Sequence, residues 1–439
     1  MKKHNLYALV AAGLLASGMT VSSASAADLG GNCCADLEER IAELEATTAR
    51  KGNRKVSLTV SGWVAQQVTF WDDGVESNTY VHDLGTTLGS HVKFTGSAQI
   101  SPGWSAGYVL QLEGIGSDGL TTSQDVSNGP ALYNKLGSGA NGLGGVQTLQ
   151  SYWFVKSDQL GKVSIGKQSQ ASDNTAILVD GSGSLVPANW VAFDTNNFAI
   201  RGVGTVGALG WGNAQSCGGM GGAWGDCNGL TQNVVRYDSP TFGGFSVSAS
   251  WGEDDMWDVA ARYAGEFGGF KLAAAAAYNE TSDGNYNNIQ STVFPGLGFR
   301  VPDMNYFQAG AFLMHVPTGL FGLVNYGNLE YDEPGAIADA ETWYGKIGMR
   351  TRLSALGHTV FYGEYLNGQD GAAAVTQYLG IGALTSSELE VWGAGIVQEV
   401  DAAAMSVWLK YRNMSYSDNE AGSNYEDFDY VGFGGLINF

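Results

Sequence analysis

Charge is scarce in this sequence of 439 residues. Charged residues make up only 15 % of it, against about a quarter in soluble globular domains, which argues against an ordinary soluble enzyme. Beyond the first residues, no stretch is long and apolar enough for a transmembrane helix. Proline occurs only 8 times. Histidine is equally sparse: outside the amino-terminal segment there are His82, His91, His315 and His358. His91 falls on the inward face of a candidate strand and His82 in an acidic loop, so neither is set up as a rim-facing hydrolase base. No Gly-x-Ser-x-Gly elbow, phosphate loop or metal-spaced pair is present. The sequence therefore gives no reason to expect an enzyme, a metal or a cofactor, and no nucleic-acid partner is expected.

Other residues are abundant. Glycine accounts for 64 positions, roughly twice its usual share. Aromatics reach 11 %, with 12 Trp and 20 Tyr. A chain with few charges, many aromatics and no long apolar run can still carry its apolar residues in alternation. That is the pattern of a membrane β-barrel, in which lipid-facing and lumen-facing side chains alternate. Lipid offers no partners to backbone N–H and C=O groups, so spanning strands must close into a barrel.

The first residues set the compartment. Lys2 and Lys3 precede an apolar stretch from Leu6 to Met19, and Ala24-Ser25-Ala26 follows as a small-x-small site. This reads as a secretory signal peptide, residues 1–26. Cleavage would remove both lysines and take the formal charge from −21 to −23.

Sixteen candidate strands follow, near 56–71, 86–100, 104–114, 149–157, 161–168, 231–238, 243–252, 256–264, 269–279, 304–316, 319–331, 341–353, 357–366, 388–398, 402–413 and 426–439. The even count suits a bacterial barrel. In the first, Val60, Val64, Val68 and Phe70 share one face, with Ser57, Thr59, Ser61, Gln67 and Thr69 on the other. In the second, Leu88, Val92, Phe94, Ala98 and Ile100 point outward, and His91, Lys93 and Thr95 inward. The segment 149–157 resists phasing, because Tyr152, Trp153, Phe154 and Val155 are apolar on both sides; a wall buried at a subunit interface would read this way. Connections alternate between tight turns (SDQLG, SPTFGG, AGEFGG, SALG) and long Gly-rich segments, the asymmetry of periplasmic and extracellular rims.

Ahead of the barrel, CCADLEERIAELEATTARKGNRK spaces Leu37, Ile41 and Leu44 as a short heptad-like helix within 27–55. Such a helix is marginal alone in water. Self-association, as a trimer helix in the periplasm, is the functional expectation, and a solvated amphipathic linker is the alternative. Cys217 and Cys227 bracket a Gly-rich stretch in the longest connection, and in an exported protein they predict a disulfide. Cys33 and Cys34 are open: they could pair with each other, cross-link subunits or stay reduced.

Several stretches together resemble the Gram-negative general porins, with the alphaproteobacterial porin family the nearest. Asn233-Val-Val-Arg-Tyr-Asp-Ser-Pro-Thr-Phe-Gly-Gly-Phe245 resembles a porin hairpin that turns through Ser-Pro. Leu160-Gly-Lys-Val-Ser-Ile-Gly-Lys-Gln168 resembles the strand that leads into the porins' third loop, where members more often carry Arg than Lys167. CCADLEERIAELEA resembles the amino-terminal segment of one subgroup. Phe439, with Ile437 and Gly434 before it, resembles the signal read by the outer-membrane assembly machinery. The resemblance implies a trimeric barrel of about sixteen strands, 56–439, in the cell outer membrane, in contact with its lipid and lipopolysaccharide. It implies a water-filled channel for passive diffusion of ions and small hydrophilic solutes. A substrate-specific channel, or a structural or adhesive barrel tethering the cell wall, is the alternative.

The longest connection, about 169–230, lies between the fifth and sixth candidate strands, where porins carry a loop folded into the lumen. It holds Asp173, Asp180, Asp194 and Asp226, with Arg201 as its one basic residue. Strand parity points Lys93, Arg236, Arg262, Lys271, Lys346, Arg350, Arg352, Lys410 and Arg412 inward. Acids on the loop opposite bases on the wall would set a transverse field at a constriction. Lys93, Arg236 and Arg262 are the wall candidates, the first two being favoured because their strands lie in the first half of the barrel.

Overall fold

The computed structural model describes residues 56–85, 87–115, 119, 122–124, 145–204, 210–214, 231–252, 255–282, 303–332, 338–379 and 384–439. The signal peptide, the heptad segment with Leu37, Ile41 and Leu44, and all four cysteines, Cys217 and Cys227 included, lie outside the described residues.

Among the described residues, sixteen long antiparallel strands close one barrel. They are β1 (Thr59–Asp72), β3 (His91–Ser101), β4 (Trp104–Ile115), β5 (Gly145–Ser157), β6 (Gly161–Gln168), β8 (Gln232–Asp238), β9 (Phe245–Gly252) and β10 (Trp257–Phe267). The second half comprises β11 (Phe270–Thr281), β12 (Met304–His315), β13 (Leu320–Tyr331), β14 (Ala340–Ser354), β15 (Gly357–Gln369), β16 (Ser387–Val400), β17 (Met405–Asp418) and β19 (Phe428–Asn438). Each overlaps one of the sixteen expected strands, with ends that differ by several residues in places. Each pairs with its sequence neighbour, and β19 pairs with both β17 and β1, which leaves no open edge. Gly62 and Phe439 exchange backbone hydrogen bonds of 3.0 and 3.1 Å at that seam.

Alternation holds along the strands. On β12 and β13 nearly every second residue is buried inward. Outward aromatics form a girdle near the long-loop rim, where Trp257–Tyr278, Tyr326–Trp343 and Trp392–Tyr411 lie 5.5, 4.6 and 5.3 Å apart, as membrane interfaces favour. The short connections gather on the opposite rim. At one of them Gly161 has φ +91°, and a Cβ there would stand 2.2 Å from the Asp238 carbonyl oxygen, so only glycine fits that turn.

Four features depart from the sequence expectation. The second barrel strand begins at His91, not residue 86. The preceding residues turn through Gly85 and Thr87, with φ of 86° and 80°, and fold inward, so Leu88 is buried rather than outward. In β5 a register shift opposite Gln111 and Leu112 inserts Leu149 as an extra residue. That bulge reverses the side-chain parity, so Tyr152 faces inward and Trp153 is exposed outward. The phase could not be read because the bulge and inward aromatics coincide. Short strands also appear within connections: β2 (Ser77–His82) on β1, and β7 (Gly202–Val203) on β18 (Asn424–Tyr425). Finally, a helix, Gly371–Leu379, occupies the β15–β16 connection and packs beside the turn Trp211–Ala214.

Candidate functional site

The first described stretch of the longest connection, residues 169–204, runs inside the barrel. Its side chains are almost all buried, and its partners are inward-facing residues of the wall. At its start, Arg236 on β8 donates to the carbonyls of Ser169 and Gln170, at 2.9 and 3.0 Å. Arg262 on β10 donates to the Ala171 carbonyl and to Thr175 Oγ1, at 2.5 and 2.9 Å. The Ser172 amide and hydroxyl both donate to Asp258, at 2.7 and 2.6 Å. On β12, Gln308 accepts from the Ala176 amide and donates to the Ser172 carbonyl. Two wall arginines thus bind backbone carbonyls of the segment.

The middle of the segment is held by ion pairs. Lys346 on β14 bonds Asp180, both side chains at 0 % exposure, and also Ser184 Oγ at 3.0 Å and Asn189 Oδ1 at 2.7 Å. Lys410 on β17 lies 2.5 Å from Asp194 and donates to the Pro187 carbonyl. Asp194 also accepts from Tyr430 at 2.8 Å and from Gln67 at 2.6 Å. Arg412 donates to Glu364 at 2.7 Å and to Tyr430 at 2.9 Å, reaches the Ala188 carbonyl, and stands 3.5 Å from Asp194. Burying a charge is costly unless it is paired and hydrogen-bonded; here each buried base has at least two oxygen partners. Burial pushes the Asp194 carboxyl up, but Lys410 and Arg412 outweigh this and hold it at about 2. Burial raises Asp173 to about 6, against the Ser169 hydrogen bond and Arg236.

The end of the segment is tied to the connection between β1 and β2. Arg201 meets Asp73 at 2.7 Å and Glu76 at 2.5 Å. Burial tends to raise Asp73, yet the Glu76 amide and Arg201 keep its carboxyl below the usual value. Gln124 bridges Asp73 and Ala199, and the β7–β18 ladder ties the same stretch to the last long loop.

Of the six residues expected at the site, Asp173, Asp180 and Asp194 lie on this segment, and Arg236 and Arg262 touch its beginning. Lys93 faces inward and buried on β3, across the ladder from Gln111. Asp180 and Asp194 bond Lys346, Lys410 and Arg412 on β14 and β17, in the second half of the barrel, rather than the two favoured wall candidates. Sequence reasoning missed Gln67, Glu364 and Tyr430 as members of the cluster. Strand parity was the available signal, since all three face inward. Phe439, Ile437 and Gly434 sit on β19 and its end, with Phe439 and Ile437 outward.

Comparison with known proteins agrees with this architecture. The family model described as Gram-negative porin matches residues 8–436. The chain is a Gram-negative porin. As such it resides in the outer membrane and forms a channel for passive diffusion. No curated protein sequence matches it. Among solved structures, the porin is similar to the anion-selective porin from Comamonas acidovorans, at 15 % identity and TM-score 0.51, covering 88 % of this chain and 100 % of that one. It is also similar to OprB of Pseudomonas putida, at 11 % identity and TM-score 0.52, covering 92 % and 97 %. The outer membrane channel DcaP of Acinetobacter baumannii is similar at 9 % identity and TM-score 0.51, covering 89 % and 99 %. At these identities the likeness concerns the fold. Among the described residues no group of His, Cys, Asp or Glu could hold a metal ion.

Proposed function

We propose that residues 169–204 form the constriction of this channel, and that their pairing with the wall sets its size limit and ion preference. The observation that carries this reading is the buried Lys346–Asp180 and Lys410–Asp194 pairing, which joins the connecting segment to inward faces of two strands. A loop held so firmly across a lumen narrows it for every solute. The solutes are ions and small hydrophilic molecules. The assembly is a homotrimer, as the porin resemblance implies, with Leu37, Ile41 and Leu44 supplying a trimer helix and Cys217–Cys227 a disulfide in the long connection. Phe439, with Ile437 and Gly434, serves as the assembly signal, and lipopolysaccharide borders the outer rim. The sequence resemblance also favours a place among the alphaproteobacterial porins.

A substrate-specific channel is the second reading. It is favoured by apolar side chains, Leu84, Leu88 and Trp190, buried inside the barrel where a general channel is wet. Planar-bilayer recording of the purified protein tests both. Stepwise conductance without block by any solute class is expected; block by one class supports the second reading, and absence of steps from folded protein refutes the channel.

A further inference from the structure

One buried amide on the inner wall lacks a partner. Gln111 lies on β4, across the ladder from Lys93 on β3 and Gln150 on β5. It is only 3 % exposed, and its Oε1 meets no hydrogen-bond donor among the described residues. A buried acceptor loses its hydration without compensation unless something donates to it, and such atoms are rare.

A small cavity lies beside this amide. Gln111, Gln150, Ser169 and Asp173 supply its polar lining, and Leu88 and Leu149 close an apolar side. The space open to the centre of a water molecule is about 20 Å³. One water needs roughly 10–15 Å³ on that measure, with two to four polar neighbours. Size and lining therefore agree on a single molecule. The space between Gln67, Asp194 and Lys410 is different. There Gln67 accepts from Trp408 and donates to Asp194, which pairs with Lys410, so those polar groups bind one another.

We propose that the cavity between Gln111 and Asp173 holds one ordered water, which donates to Gln111 Oε1 and to the Asp173 carboxylate and so keeps that acid hydrated. The site itself stands on the cavity and the amide; only its electrical readout rests on the reading of residues 169–204 as the constriction. An alkali cation is of similar size, but the charges disfavour it. Asp173 is the one carboxylate in the lining, and Arg236 on β8 and Arg262 on β10 already face it, with Asp258 beside them. Lys93 adds a base across the ladder, and Glu113 on β4 is taken up by the Gly89 amide and Gln147. A neutral molecule with two donors fits this field better than a further positive charge. Asp173 also accepts from the Asn174 amide at 2.6 Å and from Ser169. Each donor favours the ionised form, so loss of the water would let Asp173 take up its proton at a higher pH.

A crystal structure of the purified porin that resolves ordered waters is the direct test. One peak within hydrogen-bond distance of Gln111 Oε1 and the Asp173 carboxylate is expected. A cavity without density, or a peak ringed by oxygens at metal-ligand distances, would overturn the proposal. Reversal potential followed against pH is the second test, with folding monitored by heat-modifiable gel mobility. Gln111→Met keeps the volume and removes the acceptor, so the midpoint of the Asp173 step should rise by about one pH unit, the effect of one hydrogen bond to a charged group. Gln150→Met alters the other amide of the lining; a smaller rise is expected, and this variant decides the matter if the first misfolds. Wild-type midpoints in the folded variants would also overturn the water. A wild-type channel that shows conductance steps but no pH step would count against the constriction reading instead, and the crystallographic test would still decide the water.

Discussion

Replacing Asp194 by Asn probes the constriction most directly. In the native cluster this carboxylate meets Lys410 at 2.5 Å and Arg412 at 3.5 Å. A permeant ion nearby therefore sees a compensated group. Asn keeps the shape and loses the charge, so Lys410 becomes unmasked. For an ion at about 8 Å, one uncompensated charge contributes about 0.5 kcal/mol in bulk water without salt, and screening over one Debye length reduces this to about 0.2 kcal/mol. It helps anions and hinders cations equally, so the anion-to-cation ratio should rise roughly 2-fold, and more where the surroundings are less polarisable. Leaving the base buried also costs about 3–5 kcal/mol. That cost falls on the segment's attachment, so noisier current is expected from a barrel that still shows heat-modifiable mobility. The assay is reversal potential in a salt gradient. Asp194→Asn should shift it toward anions, and Asp194→Asn combined with Lys410→Met should restore the wild-type value. Asp332→Asn on an exposed rim should do little. A single variant that matches the double, or one that shifts toward cations, would refute the reasoning.

Three further outcomes are expected. Asp173 is held at about 6 beside Arg236, Arg262, Asp258 and Ser169; as pH falls from 7.5 to 5 it gains a proton and the lumen loses a negative charge, so reversal potential should move toward anions, and Asp173→Asn should abolish that step. Phe439→Asp should lower the yield of folded barrel, because the residue pairs with Gly62 at the closing seam and its ring lies outward; heat-modifiable mobility of outer-membrane fractions reads this. Serine at Leu37, Ile41 and Leu44 should leave the barrel intact but lower the temperature at which the trimer dissociates on gels, since each apolar side chain buried contributes at most roughly 1.5–3 kcal/mol.

Much of the barrel was legible in the sequence because strand formation in lipid leaves a period of two that survives variation in length and composition. Thr59–Asp72 and Met304–His315 could be placed from alternation alone. Where alternation was broken, the sequence misled. Leu88 sits in phase with Val92 and Phe94, yet the left-handed turn at Gly85 and Thr87 takes it out of the strand. Leu149 is one extra residue, and no local signal marks a bulge before the partner strand is known. Parity also identified the inward bases correctly, but not their partners. Lys346 and Asp180 are 166 positions apart, and only closure of the barrel decides that they meet. The Gly202–Val203 ladder on Asn424–Tyr425 was invisible for the same reason, since two residues carry no periodicity.

The charge arrangement explains why net charge is a poor guide to what this porin passes. Along the folded segment the described bases are paired with acids: Lys346 with Asp180, Lys410 with Asp194, Arg412 with Glu364, Arg236 with Asp238, and Arg201 with Asp73 and Glu76. These paired charges nearly cancel, although the whole chain carries −21. Pairing also changes what the charges do. Free charges facing each other across water would make a strong transverse field; bonded ones leave a short dipole whose influence decays faster with distance. In exchange, the bonds hold an otherwise irregular segment inside the barrel, satisfying its carbonyls with Arg236, Arg262, Lys410 and Arg412. On the proposed reading of residues 169–204, the inward bases act first as fasteners of the constriction, and they would influence passing ions mainly when a partner is removed or protonated.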